Sequence, residues 1–206
     1  VKIIKPSFVI ETPVDGKRIL TDLERFGRTC YKSEDKITPD SAQQFVKMIL
    51  KSGHESVIEH VSVTVRVICD RGVAHEIVRH RLAAYSQEST RYCNYRSRGI
   101  QVIEPFFFAE DRAKYQIWQE AMAACEKAYN TLIETGASPQ EARSVLPNSL
   151  KTEIVITYNL REWRHFFTLR CSKRAHPQMR EITIPLLREF QRLIPAIFDD
   201  IRVEAE

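Results

Sequence analysis

The sequence predicts a single α+β domain, a mixed β-sheet flanked by helices, and three observations carry that prediction. Val61, Val63, Val65 and Val67 alternate with polar residues, and Ile154, Ile156 and Tyr158 repeat the same period of two, the signature of strands. Other stretches recur at three and four residues, as amphipathic helices do. The two kinds of element follow no regular βαβ alternation, which separates the chain from doubly wound parallel-sheet folds. At 206 residues it can bury a sizeable core without staples, and no composition shift divides it. One domain over residues 1–206 is therefore expected.

Taken in order, residues 3–12 read as a short strand interrupted at Pro6, which has no N–H to give a ladder. Residues 16–27 read as a helix with Ile19, Leu20, Leu23 and Phe26 on one side. Residues 40–51 form a second helix, with Phe45, Met48 and Ile49 as its apolar face and Gly53 as its terminator. The polar run 54–60 leads into the first strand, which Asp70-Arg71-Gly72 breaks. From Val73 the period turns helical and delivers Arg79 and His80 to the helix C-terminus, with Glu76 near both. Residues 82–95, rich in hydroxyls, read as a loop.

Tyr115, Trp118, Met122, Cys125, Tyr129 and Leu132 trace one long amphipathic helix closed at Gly136, and a stripe of this kind is core. Ser138-Pro139-Gln140-Glu141 supplies a hydroxyl N-cap, Pro at N1 and Glu at N3. The short helix it opens carries Arg143 and stops before Pro147. After the second strand, Asn159 with Glu162 three residues on marks another N-cap, opening a helix over Leu160–Arg170. The last helix spans about 180–203, with Pro185 and Pro195 expected to kink or break it.

Charge is concentrated in one place. Residues 79–98 hold five arginines (79, 81, 91, 96 and 98), no lysine and one acid, Glu88, for a net +4 that equals the formal charge of the whole chain. The remaining 26 basic and 26 acidic residues cancel. Arginine keeps its charge at any working pH and presents a planar fork of donors that fits phosphate or carboxylate. Interleaved Tyr85, Ser86, Ser89, Thr90 and Tyr92 add hydroxyls suited to phosphate oxygens. An RNA-binding module using the same arginines is the rival reading. Balanced charge elsewhere counts against it, because a polymer asks for a broad basic surface. Spacing alone thus supports a small phosphorylated ligand.

Several chemistries fail on spacing. His75-Glu76 is followed by His80, one residue too late for the zinc-protease helix, so no metal site is expected. Neither G-x-G-x-x-G nor G-x-x-x-x-G-K-[ST] occurs, so side chains and helix ends must hold any nucleotide. Cys93 and Cys171 lie near arginines, but the small-thiol reading of both outweighs a nucleophile. Five separated cysteines with no C-x-x-C pair, and an N-terminus too charged for a signal peptide, predict a reducing cytoplasm. No apolar run approaches the roughly 20 residues that span a bilayer.

Arg79-His80-Arg81, seven residues and then Ser89 resembles the R-H-R-x7-S signature of flavin-dependent thymidylate synthases. Four further blocks stand in that family's order: Gly53-His54-Glu55-Ser56 with Glu59-His60, Ala142-Arg143-Ser144-Val145-Leu146-Pro147, Asn159-Leu160-Arg161, and Leu169-Arg170 with His176 and Gln178. The resemblance implies the family's own α+β fold, not a Rossmann fold, and conversion of dUMP to dTMP. Methylenetetrahydrofolate would supply the carbon and NADPH-reduced FAD the hydride, in a homotetramer with shared active sites and no cysteine nucleophile. It implies dUMP contacts from Glu76, Arg79, Gln87, Glu88, Ser89, Thr90, Arg91, Arg143 and Arg170. Arg170 would promote ionisation of uracil N3, and Ser89 would hydrogen-bond beside the ring. FAD contacts would come from His54, Ser56, Glu59, Arg79, His80, Arg81, Gln87, Asn159, Arg161 and His165. The chain departs from the common family pattern at Glu76, Ser86-Gln87 and His165, where Gln, Asn-Glu and Asn usually stand.

Overall fold

The computed structural model describes residues 1–203, the side chain of Arg98 excepted. They fall into two compact units, each assembled from three stretches of chain. The first comprises Val1–Phe8, Arg66–Arg79 and Tyr85–Val155; the second comprises Val9–Val65, His80–Ala84 and the chain from Ile156 onward. The α+β class holds. In place of one mixed sheet there are two small ones.

Six strands form among the described residues: β1 (Lys2–Ile4), β2 (Ser7–Ile10), β3 (Ser62–Asp70), β4 (Ala84–Gln87), β5 (Gln101–Ile103) and β6 (Lys151–Asn159). β1 and β5 make a parallel pair with Ile3 opposite Val102, and Val102 also bridges Leu150 antiparallel. The other sheet runs β2-β3-β6-β4. Pro6 separates β1 from β2, as expected. In β3 and β6 the expected alternation is plain: Val63, Val65 and Val67 are buried, as are Ile154, Ile156 and Tyr158.

In the first unit, α3 (Arg71–Ile77) starts directly from the strand, because Asp70 Oδ1 accepts the Val73 N–H at 2.7 Å. It ends at Ile77, so Arg79 and His80 lie beyond its end rather than on it. The expected loop 82–95 contains β4: Tyr85 and Gln87 turn inward while Ser86 stays exposed, and an edge place beside β6 makes a strand of it. Short α4 (Tyr95–Arg98) precedes α5 (Arg112–Glu134), which closes at Gly136, φ +96°. Trp118, Met122 and Tyr129 of its stripe pack with Tyr95, Ile100, Val102 and Leu150. The capping box at Ser138 forms and opens α6 (Pro139–Ala142), followed by a 3₁₀ turn over Arg143–Val145.

In the second unit, α1 (Gly16–Thr29) runs two residues past Gly27, and α2 (Ser41–Lys51) ends at Gly53, φ +73°. Met48, expected on its apolar face, is 51% exposed, and Val46 is buried instead. A 3₁₀ turn over Glu55–His60 buries Val57 and Ile58. α7 (Leu160–Arg170), α8 (Pro177–Leu193) and α9 (Pro195–Phe198) complete it. Pro195 breaks the last helix as expected, whereas Pro185 is accommodated inside α8. The core here is aromatic: Trp163 stacks on Phe167 at 5.4 Å and meets Phe190 at 5.0 Å and Tyr158 at 4.7 Å.

Candidate active site

The residues singled out in the sequence divide between the two units. Glu76, Arg79, Gln87, Glu88, Ser89, Thr90, Arg91 and Arg143 belong to the first; His54, Ser56, Glu59, His80, Arg81, Asn159, Arg161, His165 and Arg170 belong to the second. The phosphate-type set and the flavin-type set thus separate almost completely, with Arg170 the one member of the nucleotide set in the second unit.

α7 organises the second unit's site. Asn159 Oδ1 accepts the Glu162 N–H at 2.9 Å and starts the helix where the sequence places it. Leu160, Trp163, Phe166 and Phe167 anchor its apolar side, so the helix turns Arg161, His165 and Thr168 outward. These three, with Glu55, Glu59, Arg81, Leu82, Asn159, Glu162 and Arg164, line a cleft of ≈ 590 Å³. Arg161 is tied to Glu59 at 2.5 Å and to Glu55 at 3.5 Å. Arg164 makes a bidentate pair with Asp200 at 2.6 and 2.7 Å. Arg81 carries no carboxylate partner among the described residues. His54 Nδ1 lies 2.7 Å from the Tyr31 hydroxyl, and Ser56 is exposed in the adjoining 3₁₀ turn.

His80 lies under this cleft, 5% exposed. Its Nε2 accepts from Arg170 Nε at 2.9 Å and its Nδ1 lies 3.0 Å from Glu162 Oε1. Burial, then the charges of Arg170 and His165, lower its pKa from 6.5 to about 4, so the imidazole is neutral at physiological pH. Burial raises the Glu162 carboxyl above its ordinary value. Sequence reasoning sees Glu162 only as a helix-start signal; its partnership with His80 has no local signature.

In the first unit, β4 and the turn after it present the nucleotide-type set. Gln87 Nε2 donates to Thr152 Oγ1 at 3.2 Å. Glu88 is engaged twice, by Lys151 Nζ at 2.8 Å and by the Tyr95 hydroxyl at 3.1 Å; its charge is already matched by Lys151. Ser89 Oγ accepts the Arg91 N–H at 3.2 Å, and Arg143 donates to the buried Thr90 hydroxyl at 3.5 Å. Arg79 follows a turn in which its N–H reaches the Glu76 carbonyl at 3.3 Å. Lys151 and Tyr95 are the residues here that motif reading misses.

The arginines sort by partner. Arg28, Arg66, Arg96, Arg161 and Arg164 each hold a carboxylate. Arg79, Arg81, Arg91 and Arg143 hold none among the described residues. A guanidinium left without an acid in a folded chain is a ready anion ligand.

His80, Glu162 and His165 also bring ligand-type atoms within 4.8 Å of one another. A cation on His80 Nδ1 would require the proton on Nε2, where it would oppose the Arg170 N–H. The donor set therefore suits a hydrogen-bonded chain and not a metal ion. Cys171 is buried and its thiol is pushed up to about 11, chiefly by burial, which keeps it protonated at neutral pH. No helix among the described residues is long and apolar enough to cross a membrane.

Residues 17–196 match the family model described as thymidylate synthase complementing protein. A flavin-dependent thymidylate synthase of Geobacter sulfurreducens is 37% identical over 180 residues, 84% of this chain and 78% of that one. One from Pyrococcus abyssi is 36% identical over 164 residues, covering 78% of this chain and 67% of the relative. Among solved structures, a UMP/dUMP methylase, PolB from Streptomyces cacaoi, crystallised with 5-Br dUMP, superposes with a TM-score of 0.82. It is 19% identical and the match covers 97% of this chain and 96% of that one, a likeness of fold.

Proposed function

This chain belongs to the thymidylate synthase complementing family, the flavin-dependent thymidylate synthases, and we propose that it methylates dUMP to dTMP. Methylenetetrahydrofolate is the carbon donor and NADPH the reductant, and residues 1–206 act as one synthase domain in a cytoplasmic homotetramer. The observation that carries the reading is the placement of the acid-free arginines: Arg79, Arg81 and Arg143 stand on the family's motif positions, and Arg91 follows two residues after the motif's Ser89. Membership in the family displaces the RNA-binding alternative.

Arg79, Arg91 and Arg143 bind the dUMP phosphate and ribose by charge-assisted hydrogen bonds. Gln87 and Thr90 add neutral ones, Glu76 orients Arg79, and the Glu88 backbone lines the same turn. Ser89, whose oxygen already accepts from the Arg91 N–H, has its O–H left to donate beside the pyrimidine. Among the described residues no base is hydrogen-bonded to that hydroxyl to make it a nucleophile.

Arg170 acts at the uracil edge. Its fixed positive charge favours the ionised form of N3, and the resulting anion makes C5 the nucleophilic carbon. Held by His80, the guanidinium is oriented before substrate arrives, so little reorganisation opposes the reaction.

The cleft on α7 fits a flavin in volume and in chemistry: it falls within the range of cofactor pockets and contains Arg81, which holds no carboxylate among the described residues. Arg81 would bind its phosphates, with Arg161, His54, Ser56 and Glu59 at the rim. Asn159 and His165 would hydrogen-bond it and His80 would support the floor. Bound FAD supplies the hydride that a protein side chain cannot.

Incubation with FAD, NADPH, dUMP and methylenetetrahydrofolate tests the proposal. FAD-dependent formation of dTMP and tetrahydrofolate supports it, and Arg170→Ala should abolish dTMP while flavin stays bound. Flavin binding without dTMP, or full activity in the Arg170 variant, would refute it.

A further inference from the structure

Glu162 belongs to none of the motif blocks, yet it closes the hydrogen-bond chain in which His80 and Arg170 stand. We propose that Glu162 is a positioning residue: by fixing the tautomer of His80 it aims the guanidinium of Arg170. The proposal rests on the reading that Arg170 acts on the uracil.

Donor chemistry allows only one arrangement. An arginine Nε–H can only donate, so His80 Nε2, 2.9 Å away, must be the bare nitrogen. The ring proton then sits on Nδ1 and needs an acceptor, which Glu162 Oε1 provides at 3.0 Å. The other tautomer would set two N–H groups against each other across the same 2.9 Å gap. Water cannot substitute easily, since the two side chains are 3% and 12% exposed.

Rotation of the ring offers no escape. Phe166 meets the imidazole edge-on at 4.9 Å and His165 at 5.7 Å, and both crowd the ring against turning. With the ring held, the position of its proton is what remains to be decided. Glu162 and Arg170 sit in the first and last turns of α7, so one rigid element spaces both ends of the chain. Asn159 pins the Glu162 backbone in turn. The result is directional: arginine donates to histidine and histidine donates to glutamate. With its Nε committed to His80, the guanidinium plane has a fixed orientation.

The test is ¹⁵N NMR of the histidine-labelled protein at pH 7.5, with the His80 signals assigned by their loss in His80→Gln. The unaltered protein should show a protonated Nδ1 and a bare Nε2. Glu162→Gln, which keeps an acceptor, should preserve that pattern; Glu162→Ala and Glu162→Leu, which do not, should shift it toward Nε2–H. Two variants without an acceptor guard against one failing to fold. In dTMP formation, both should lower kcat on the order of tenfold, the scale for losing an oriented hydrogen bond to a charged group, with KM for dUMP changed less and Gln restoring most of the rate. A purely structural glutamate would change stability but not the tautomer. An unchanged His80 pattern in both acceptor-free variants overturns the proposal, and so does a changed pattern with unchanged kcat. If the unaltered protein makes no dTMP, the synthase reading fails, while the imidazole signals still decide whether Glu162 governs His80.

Discussion

Arg170 Nε donates to His80 Nε2 across 2.9 Å, although 90 positions separate the two residues. The contact makes a buried imidazole an acceptor for a permanent cation, which is possible only while that imidazole is neutral. Everything that favours its protonation works against the placement of Arg170.

That relationship predicts a pH dependence of stability. His80 is lowered from 6.5 to about 4 by burial first, then by the charges of Arg170 and His165. Glu162 is the facing group that pulls the other way, and the rings of Phe166 and Tyr158 packed against the imidazole carry no charge at these pH values. The unfolded chain takes up a proton near pH 6.5 that the folded chain refuses until about 4. The stability concerned is therefore present above pH 6.5 and is lost as pH falls to about 4, up to about 3 kcal/mol in total. Urea unfolding at pH 7.5, 5.5 and 4.0 should show a steeper loss in the unaltered protein than in His80→Gln. Parallel losses would assign the effect to other groups.

The cleft arginines should differ in what they contribute to flavin affinity. Arg81 is exposed with no acid to leave, while Arg161 must give up Glu59 at 2.5 Å to bind an anion. Arg81→Ala is expected to weaken FAD binding about tenfold or more, and Arg161→Ala by less. Flavin fluorescence titration of both variants checks this, and the reverse order would move the phosphate contact to Arg161.

Legibility in the sequence tracks how local the cause is. Helix α7 is readable to the residue, because the Asn159 cap, the Glu162 signal and the spacing of Trp163, Phe166 and Phe167 all agree. The arginine motif is readable too, since its chemistry lies within one stretch. β4 is not: Tyr85-Ser86-Gln87 has ordinary loop composition, and its pairing beside β6 makes it a strand. Nor is the chain from Glu162 through His80 to Arg170, whose links span 82 and 90 positions. Met48 fits the helical period yet stays exposed, because Val46 takes the buried place.

Gly27 shows the same limit and carries a prediction. It reads as a helix end, but α1 continues through it, and the absent side chain makes room for the Phe45 ring. A Cβ on Gly27 would lie 2.7 Å from Phe45 Cε1 and 3.2 Å from Val57 Cγ1. Helix propensity alone favours alanine by about 1 kcal/mol. Phe45 is 5% exposed and cannot swing away, so overpacking should win, and Gly27→Ala should destabilise by about 1–3 kcal/mol. A higher unfolding midpoint would mean that the ring yields.

The frame that carries the site should depend on Trp163 beyond its hydrophobic area. Its Nε1–H donates to the Val63 carbonyl at 3.0 Å, joining α7 to β3 within the second unit, and the side chain is fully buried. Trp163→Phe keeps an aromatic ring among Phe167, Phe190 and Tyr158 but removes the donor and part of the volume. The Val63 carbonyl then lacks that partner, at about 1–3 kcal/mol, and the space left beside three rings adds to the loss. Together these should destabilise by about 2–4 kcal/mol in denaturant unfolding. Trp163→Leu, which lacks both donor and ring, should cost more. Equal losses in the two variants would mean that ring packing contributes little, and a Phe variant as stable as the parent would mean that the hydrogen bond does not hold α7 to its strand.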